Sequence, residues 1–368
     1  MNGQDLLTVS RLKSFQACPR KHYYAYEIGM RADAEAKALR FGRIYHVALD
    51  MWAQSKDIND GFDAIYRNYD IQPEWADPFW WAVERETCLR LFAGYVWRWQ
   101  DDCIEVMESE QVFRLPILNP ETGRPTQVFE RGGKIDKIIR LPDTRVGVME
   151  HKTTSDSVAS DSDYWNILRL DPQVSMYFDA KPDAVFILYD VTRKPCIAPK
   201  QIAKVDDFGQ KIVLDKNGDR VIKKGGLPRE TGDSSLGYVL QTRIESPDEF
   251  SQRLADDIQS RPDFYYARRE IPRLDDDIIE FRRDLWNEQQ AIRDRQKRGS
   301  WPRRPGQHCD YCAFKHPCFN NAYPIGETLP SGFIKMETVH PELELEIANG
   351  NENRTTTTDA TECAAATE

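Results

Sequence analysis

The 368-residue chain lacks an apolar run of about 20 residues, the length that a membrane-spanning helix needs. Its start, MNGQDLLTVS, also lacks the basic residues and the apolar stretch of a secretory signal peptide. No internal repeat is visible. These absences favour a globular protein without membrane association, and we expect it to be cytoplasmic.

An excess of positive charge is missing as well, because the formal net charge is −10. Residues 336–368 alone carry −7, which leaves −3 for the rest of the chain. A near-neutral body can still present a basic groove, so this balance does not exclude DNA as a partner. We predict one domain over 1–329 with a hairpin insertion at 205–232. The acidic, low-complexity segment 330–368 is predicted to be a disordered tail.

The order of helical and strand-like segments predicts an α/β fold. An antiparallel meander is expected over 105–153, with one of its turns at Gly132-Gly133, and a buried strand over 183–191. A further strand is expected over 236–244. Helices are predicted over 34–56, 78–101, 172–180, 247–259 and 275–298. This order indicates a central mixed β-sheet flanked by helices.

The stretch GVMEHKTTS places Glu150 and Lys152 two residues apart, on one face of a strand. Asp136 lies on the preceding strand, which joins through a short PDTR turn and should pair with it. Two adjacent carboxylates repel unless a cation lies between them, and Mg²⁺ or Mn²⁺ suits such oxygen ligands. A metal with a neighbouring ammonium can hydrolyse a phosphodiester. The alternative is that these are ordinary polar positions on a half-exposed strand.

Three further polar residues bear on this site. His46 falls near the inward face of a predicted helix, where a histidine is either a metal ligand or a core residue. Gln173 and Tyr177 are four apart and share a helical face, from which both could touch nucleic acid. We interpret Glu110 as an exposed strand charge rather than as a further carboxylate of the site.

Three cysteines crowd into ten residues with the spacing C-x₂-C-x₅-C, namely Cys309, Cys312 and Cys318. Disulfides are a poor interpretation in a reducing compartment, so the cluster indicates a metal centre. Cys18, which precedes a proline in an aromatic segment, is the best candidate for a fourth ligand. Four cysteines suit either a [4Fe–4S] cluster or structural Zn²⁺, and both alternatives stay open.

The motifs GRIYHVALD, GGKIDKI, MEHKT and QVSMY occur in an order that resembles the PD-(D/E)XK nuclease superfamily. With the cysteines, the chain resembles the RecB-like branch that carries an iron–sulfur cluster. This branch includes CRISPR-associated iron–sulfur exonucleases and AddB-type nuclease domains. The resemblance spans Ser10 to Phe319 as scattered motifs. It implies a restriction-endonuclease-like α/β core with a helical iron–sulfur cap.

The resemblance also implies residue roles. The catalytic residues would be Asp136, Glu150 and Lys152. The Mg²⁺ or Mn²⁺ ligands would be His46, Asp136, Glu150 and the backbone carbonyl of His151. The residues that contact DNA would be Gln173 and Tyr177. The iron–sulfur ligands would be Cys18, Cys309, Cys312 and Cys318.

The expected activity is metal-dependent hydrolysis of DNA, by an exonuclease acting on single strands. The resemblance is compatible with recombination, repair, phage replication or CRISPR-type processing, and leaves room for a helicase or recombination partner. The alternative, from another functional class, is a DNA-binding or scaffold protein that its cysteines hold together and that is catalytically silent.

Overall fold

The structure is a computed structural model that describes residues 5–320, 323, 328–340 and 343. The strands of these residues are β1 (Asp5–Leu7), β2 (Met30–Ala32), β3 (Glu105–Leu118), β4 (Pro125–Arg140), β5 (Val146–Thr154), β6 (Ile187–Arg193), β7 (Gln201–Ala203), β8 (Val213–Leu214), β9 (Val239–Leu240), β10 (Thr242–Ile244), β11 (Tyr266–Ile271) and β12 (Phe333–Lys335). The longest of them, β3 and β4, form the hairpin that starts the predicted meander.

The α-helices of the same residues are α1 (Val9–Ala17), α2 (Pro19–His22), α3 (Lys37–Ser55), α4 (Ile58–Tyr69), α5 (Pro78–Arg98), α6 (Asp163–Leu168), α7 (Pro172–Ala180), α8 (Pro247–Ser260), α9 (Pro262–Tyr265), α10 (Asp275–Arg298) and α11 (Lys315–Phe319). A π-helical turn (Tyr23–Glu27) continues α2. Several helices begin at a polar N-cap followed by proline, which is the favoured arrangement at a helix start. Within the described ranges, no helix is long and apolar enough to cross a bilayer.

Six strands form the central sheet, in the order β1–β4–β5–β6–β11, with β3 beside β4. β1 runs parallel to β4 and β5 runs parallel to β6, whereas the other pairs are antiparallel. The sheet is therefore mixed. Helices pack against it, which confirms the predicted α/β class and is consistent with a restriction-endonuclease-like fold.

Two apolar clusters cover much of the central sheet. One packs α3, α5 and α8 against β11, and its fully buried members include Leu91, Phe92 and Leu254. The other packs α7 against β5 and β6. Each fully buried side chain of this size contributes about 1.5–3 kcal/mol. On β5, Val148 lies in the second cluster and Met149 packs with Ile139 and Leu188, so both faces of this strand are packed.

The predicted turn at Gly132-Gly133 is wrong, because β4 passes through both residues without a break. A Cβ at Gly132 would lie 2.7 Å from the Leu6 side chain and from the Phe113 carbonyl oxygen. The glycine is needed where β1 and β3 approach β4 closely, and it makes no turn.

The single strand predicted over 236–244 is interrupted in the structure. That segment is split into β9 and β10, which pair with β8 and β7 outside the central sheet. The strand beside β6 at the edge of the central sheet is β11, which pairs antiparallel with it. Within 205–232 the chain makes short antiparallel bridges, and Gly218 occupies one turn with φ +87°.

The predicted tail boundary at residue 330 is too early. β12 pairs antiparallel with β2, and the Phe333 ring stacks on Phe314 with centroids 6.0 Å apart. These contacts give residues 333–335 a defined position, which the composition of the segment does not predict. Most of the predicted tail, from residue 344 onward, lies outside the described residues.

Candidate active site

Asp136 and Glu150 face each other across the β4–β5 ladder. Lys137 pairs with Met149, so the register places the two carboxylates opposite one another. Asp136 Oδ2 accepts a hydrogen bond from the backbone N–H of His151 at 2.9 Å. The hairpin therefore brings the acidic residues together as the sequence spacing predicts.

Glu150 is the most deeply buried member of the site, with 2% of its surface exposed. Its Oε1 accepts from Gln173 Nε2 at 2.7 Å and from Lys152 Nζ. Its Oε2 is buried, and no described residue donates to it. Burial raises the pKa of Glu150, and the nearby Asp136 carboxylate raises it further. The site thus holds an unused acceptor and two carboxylates that a cation would stabilise.

Lys152 places a positive charge beside this pair. Burial alone would lower the pKa of Lys152, but the Glu150 and Asp136 carboxylates outweigh it and raise this pKa to about 12. The ammonium is therefore charged at neutral pH. Burial likewise raises the pKa of Asp136, against the opposing effect of Lys152.

His46 reaches the site from α3, which runs antiparallel to β5. Gly42 lies over Thr153, and one turn later His46 Nδ1 lies 3.7 Å from Asp136 Oδ2. Burial lowers the pKa of His46 to about 4, with a further contribution from Lys152. The imidazole is therefore neutral at physiological pH, the form in which histidine binds a metal.

Gln173 and Tyr177 support Glu150 from α7. Asp171 caps this helix and accepts from the Gln173 backbone N–H at 2.8 Å. Gln173 Nε2 also contacts the Tyr177 hydroxyl at 2.7 Å, and that hydroxyl donates to the Lys134 carbonyl oxygen at 2.9 Å. Tyr177 is only 3% exposed. The observed role of the pair is to orient Glu150, while their contact with DNA stays a prediction.

Glu110 was predicted to be an exposed strand charge, and the structure does not support this. Ser109 pairs with Lys137 and Gln111 with Ile135, which places Glu110 opposite Asp136. Its backbone is left-handed, with φ +56°, and its carboxylate pairs with Lys134. Counting residues outward from the β3–β4 turn is the sequence signal that could have found this position.

A second polar network behind β5 was missed altogether. His151 Nδ1 lies 3.4 Å from Asp190 Oδ2 on β6. The same carboxylate accepts from the Tyr95 hydroxyl and from Arg268 Nε, the latter at 3.0 Å. The members come from four distant segments, so no local spacing could have revealed the network. It buttresses the strand that carries Glu150 and Lys152.

The four predicted cluster cysteines lie where the two ends of the described chain meet. None of them forms a disulfide. Burial raises the pKa of Cys312, which is close enough to Cys18 and Cys309 for their charges to raise it further. Cys312 and Cys318 pack against the same aromatic cluster around Tyr24.

Two observations bear on metal binding by these groups. The backbone N–H of Arg304 donates to Cys18 Sγ at 3.4 Å, which links the segment before the three cysteines to α1. Among the residues that the structure describes, however, no three His, Cys, Asp or Glu side chains converge closely enough to hold an ion. The donor types fit a metal centre, but the observed side-chain positions do not form one.

The family model of the PD-(D/E)XK nuclease superfamily matches residues 6–190. The chain belongs to this superfamily. The matched half contains every predicted residue of the carboxylate site, so nuclease chemistry on DNA follows from the family. The match ends well before Cys309 and does not test the iron–sulfur prediction or the RecB-like branch.

Two solved structures are similar to the chain, but only weakly. The crystal structure of SSO0001 is 12% identical, covers 86% of this chain and 87% of that chain, and superposes with a TM-score of 0.30. The crystal structure of a putative exonuclease from Eubacterium rectale is 9% identical, covers 89% and 91%, and gives a TM-score of 0.38. Scores this low carry no argument about activity. No curated protein matches the chain.

Proposed function

We propose that this nuclease is a Mg²⁺- or Mn²⁺-dependent deoxyribonuclease that degrades single-stranded DNA from an end. The observation that carries the proposal is the convergence of Asp136, Glu150 and Lys152 around a buried carboxylate oxygen without a donor. An acidic pair of this kind beside an ammonium group can hold a metal ion and stabilise the charge that develops during phosphodiester hydrolysis.

The donor types at this site suit a divalent ion, although among the described residues no three of its His, Asp or Glu side chains converge closely enough to hold one. His46, Asp136, Glu150 and the backbone carbonyl of His151 would hold it, because carboxylate and carbonyl oxygens are the ligands that Mg²⁺ and Mn²⁺ prefer. When bound, the ion would polarise the scissile phosphate and lower the pKa of a water. Burial is the main cause of the raised pKa values of Asp136 and Glu150, and a bound cation would offset it.

Lys152, Gln173 and Tyr177 position the groups that would react. Lys152 is charged at neutral pH, so it donates hydrogen bonds to the attacking water or to a phosphate oxygen and does not act as a base. Gln173 fixes the rotamer of Glu150, and Tyr177 fixes Gln173 through the hydrogen bonds described above. Together they keep the carboxylate in place before substrate arrives.

Three variants test the catalytic assignment. Asp136→Ala and Lys152→Ala should each reduce cleavage of labelled single strands by at least about 100-fold, as loss of a charge-stabilising group does. Asp143→Ala is the matched control, because this exposed carboxylate lies in the turn of the same hairpin and pairs with Arg145. Undiminished Mn²⁺-dependent cleavage by both site variants would refute the proposal.

Substrate and polarity are tested with the wild-type protein. Single- and double-stranded DNA labelled at the 5′ or the 3′ end should be compared with Mg²⁺ and with Mn²⁺. The proposal expects stepwise shortening of single strands. Cleavage of closed circular single strands at the same rate as linear ones would show an endonuclease instead.

The same proposal includes a [4Fe–4S] cluster on Cys18, Cys309, Cys312 and Cys318. Support comes from the donor set and from the absence of disulfides among these four residues. Cys18 directly follows α1, and Cys318 lies in α11. The cluster would fasten the N-terminal helices to the segment around α11 and would have no redox role in cleavage.

Metal analysis of anaerobically purified protein tests the cluster. We expect about four iron atoms per chain and a brown colour. Cys309→Ser should lose the iron and lower the melting temperature, whereas Cys196→Ser, an exposed cysteine outside the set, should change neither. A colourless preparation with stoichiometric zinc would identify a structural Zn²⁺ site in its place.

A further inference from the structure

A cleft of about 380 Å³ opens beside the candidate active site and has no assigned role. α3 and α5 form two of its walls, and the residues after β5 and β6 form another. Lys194 follows β6, and its backbone N–H donates to the carbonyl oxygen of Thr154 at the end of β5 at 2.7 Å. The cleft therefore lies outside the carboxyl ends of two parallel strands, where α/β proteins commonly bind ligands.

The lining combines an aromatic face with positive charge. Trp80 on α5 is 45% exposed, whereas its neighbour Trp81 is buried. Lys37 lies at the start of α3, and Lys194 Nζ lies 4.9 Å from the centre of the Phe41 ring. Proteins commonly bind single-stranded nucleic acid through exposed aromatic rings, which stack on the bases, and through lysines, which contact the phosphates.

The only acid among the described lining residues is Glu84, and its charge is already neutralised. Both of its oxygens accept from Arg40, at 2.8 and 2.9 Å, and the Tyr69 hydroxyl donates to Oε1 at 2.9 Å. Lys37 Nζ also lies 4.0 Å from Glu84 Oε2, but Arg40 already balances this single negative charge, so Lys37 and Lys194 leave the lining with a net positive charge. The cleft keeps a positive charge that suits phosphate groups.

The cleft and the candidate active site lie along the same two elements. Ser155 of the cleft comes directly after β5 and follows Lys152 by three residues, or about 10 Å at a strand rise of about 3.3 Å. On α3, Phe41 precedes His46 by five residues, or about 7.5 Å at about 1.5 Å per residue. At about 3.4 Å per nucleotide of a stacked strand, these separations correspond to about two or three nucleotides.

We propose that this cleft binds one nucleotide of the substrate strand, two or three nucleotides from the cleaved phosphate. The base would stack on Trp80, and the adjoining phosphates would contact Lys37 and Lys194. The inference rests on the proposed deoxyribonuclease function and adds to it a second point of contact. A single-stranded substrate is required, because a base must leave the duplex stack before it can stack on Trp80.

The test measures binding separately from cleavage. Full-length protein carrying Lys152→Ala is titrated into fluorescein-labelled oligothymidylates of increasing length, and anisotropy gives the dissociation constant. Adding Trp80→Ala should weaken binding about 5- to 150-fold, the loss expected for one base–aromatic stack. Trp80→Phe should restore most of the affinity because it keeps an aromatic ring.

Trp97→Ala is the matched control. Trp97 lies on the same helix and is also 45% exposed, but it lies seventeen residues further along, about 25 Å away. Its replacement should change the dissociation constant less than about twofold. Replacing Lys37 and Lys194 with glutamine should lower the slope of log affinity against log salt by about 0.7 for each lost phosphate contact.

The outcomes separate this inference from the function on which it rests. If wild-type protein cuts single strands but Trp80→Ala binds as tightly as Trp97→Ala, the nucleotide site is refuted and the nuclease proposal stands. If wild-type protein neither cuts nor binds single strands, the proposed function itself fails. Equal weakening of all oligonucleotide lengths, including those too short to reach the cleft, would also overturn the assignment.

Discussion

Gln173 offers a direct test of how the site is organised. Its side-chain nitrogen contacts Glu150 Oε1 and the Tyr177 hydroxyl, each at 2.7 Å. Gln173→Leu removes both contacts and keeps a similar volume on α7. Glu150 would then keep Lys152 as its remaining donor among the described residues, and its carboxylate would be free to rotate.

The size of the effect follows from the charge on Glu150. A hydrogen bond to a charged group contributes about 1.5–3 kcal/mol. Full loss of that amount corresponds to about a 10- to 150-fold change in an equilibrium constant. Residues that orient a metal ligand typically change metal affinity by about 10- to 100-fold. We therefore expect Gln173→Leu to weaken Mn²⁺ binding by about 10- to 100-fold.

Calorimetric titration of Mn²⁺ without DNA measures this directly, and kcat/KM on single strands should fall in parallel. Gln16→Leu is a suitable control, because Gln16 donates to Glu288 at 3.3 Å in an exposed pair between α1 and α10. Its Mn²⁺ affinity should equal that of wild type. If Gln173→Leu also binds Mn²⁺ with wild-type affinity, Gln173 does not position Glu150 and the assignment of α7 is wrong.

Two further predictions concern acidity and stability. The pKa values of Asp136 and Glu150 are raised, so protons compete with metal for these carboxylates at a higher pH than for ordinary carboxylates. The Mn²⁺ affinity measured by calorimetry should therefore fall as the pH is lowered, by up to about tenfold per pH unit for each displaced proton. Arg40→Leu should lower the free energy of unfolding by about 3–5 kcal/mol, since it leaves Glu84 charged and buried. In denaturant titrations, the exposed Arg43→Leu should lose less than about 1 kcal/mol, and equal losses would contradict this account.

The sequence was most informative where spacing along one element fixes geometry. Asp136 and Glu150 are separated by a short turn, so their approach across a hairpin could be counted from the chain. Gln173 and Tyr177 lie one turn apart on a helix, and the helix has the bounds that the sequence predicts. The α/β class followed from the order of elements for the same reason.

Features that depend on tertiary contacts could not be predicted from the neighbouring sequence. Gly132 resembles a turn residue, yet it lies inside β4 because β1 and β3 leave no room for a Cβ. Asp190 reads as part of an apolar strand, and only the fold shows that it joins Tyr95 and Arg268 behind the site. In each case the deciding partner is far away in the sequence.

The pairing of β12 with β2 has a practical consequence for shortened forms of the protein. A fragment that ends at residue 329 would remove the partner of Met30–Ala32 and uncover a strand edge, with the buried Met30 beside it. Unpaired edges of this kind recruit strands from other molecules. Such a fragment should therefore self-associate in size-exclusion chromatography, whereas one that ends at residue 343 keeps the edge covered.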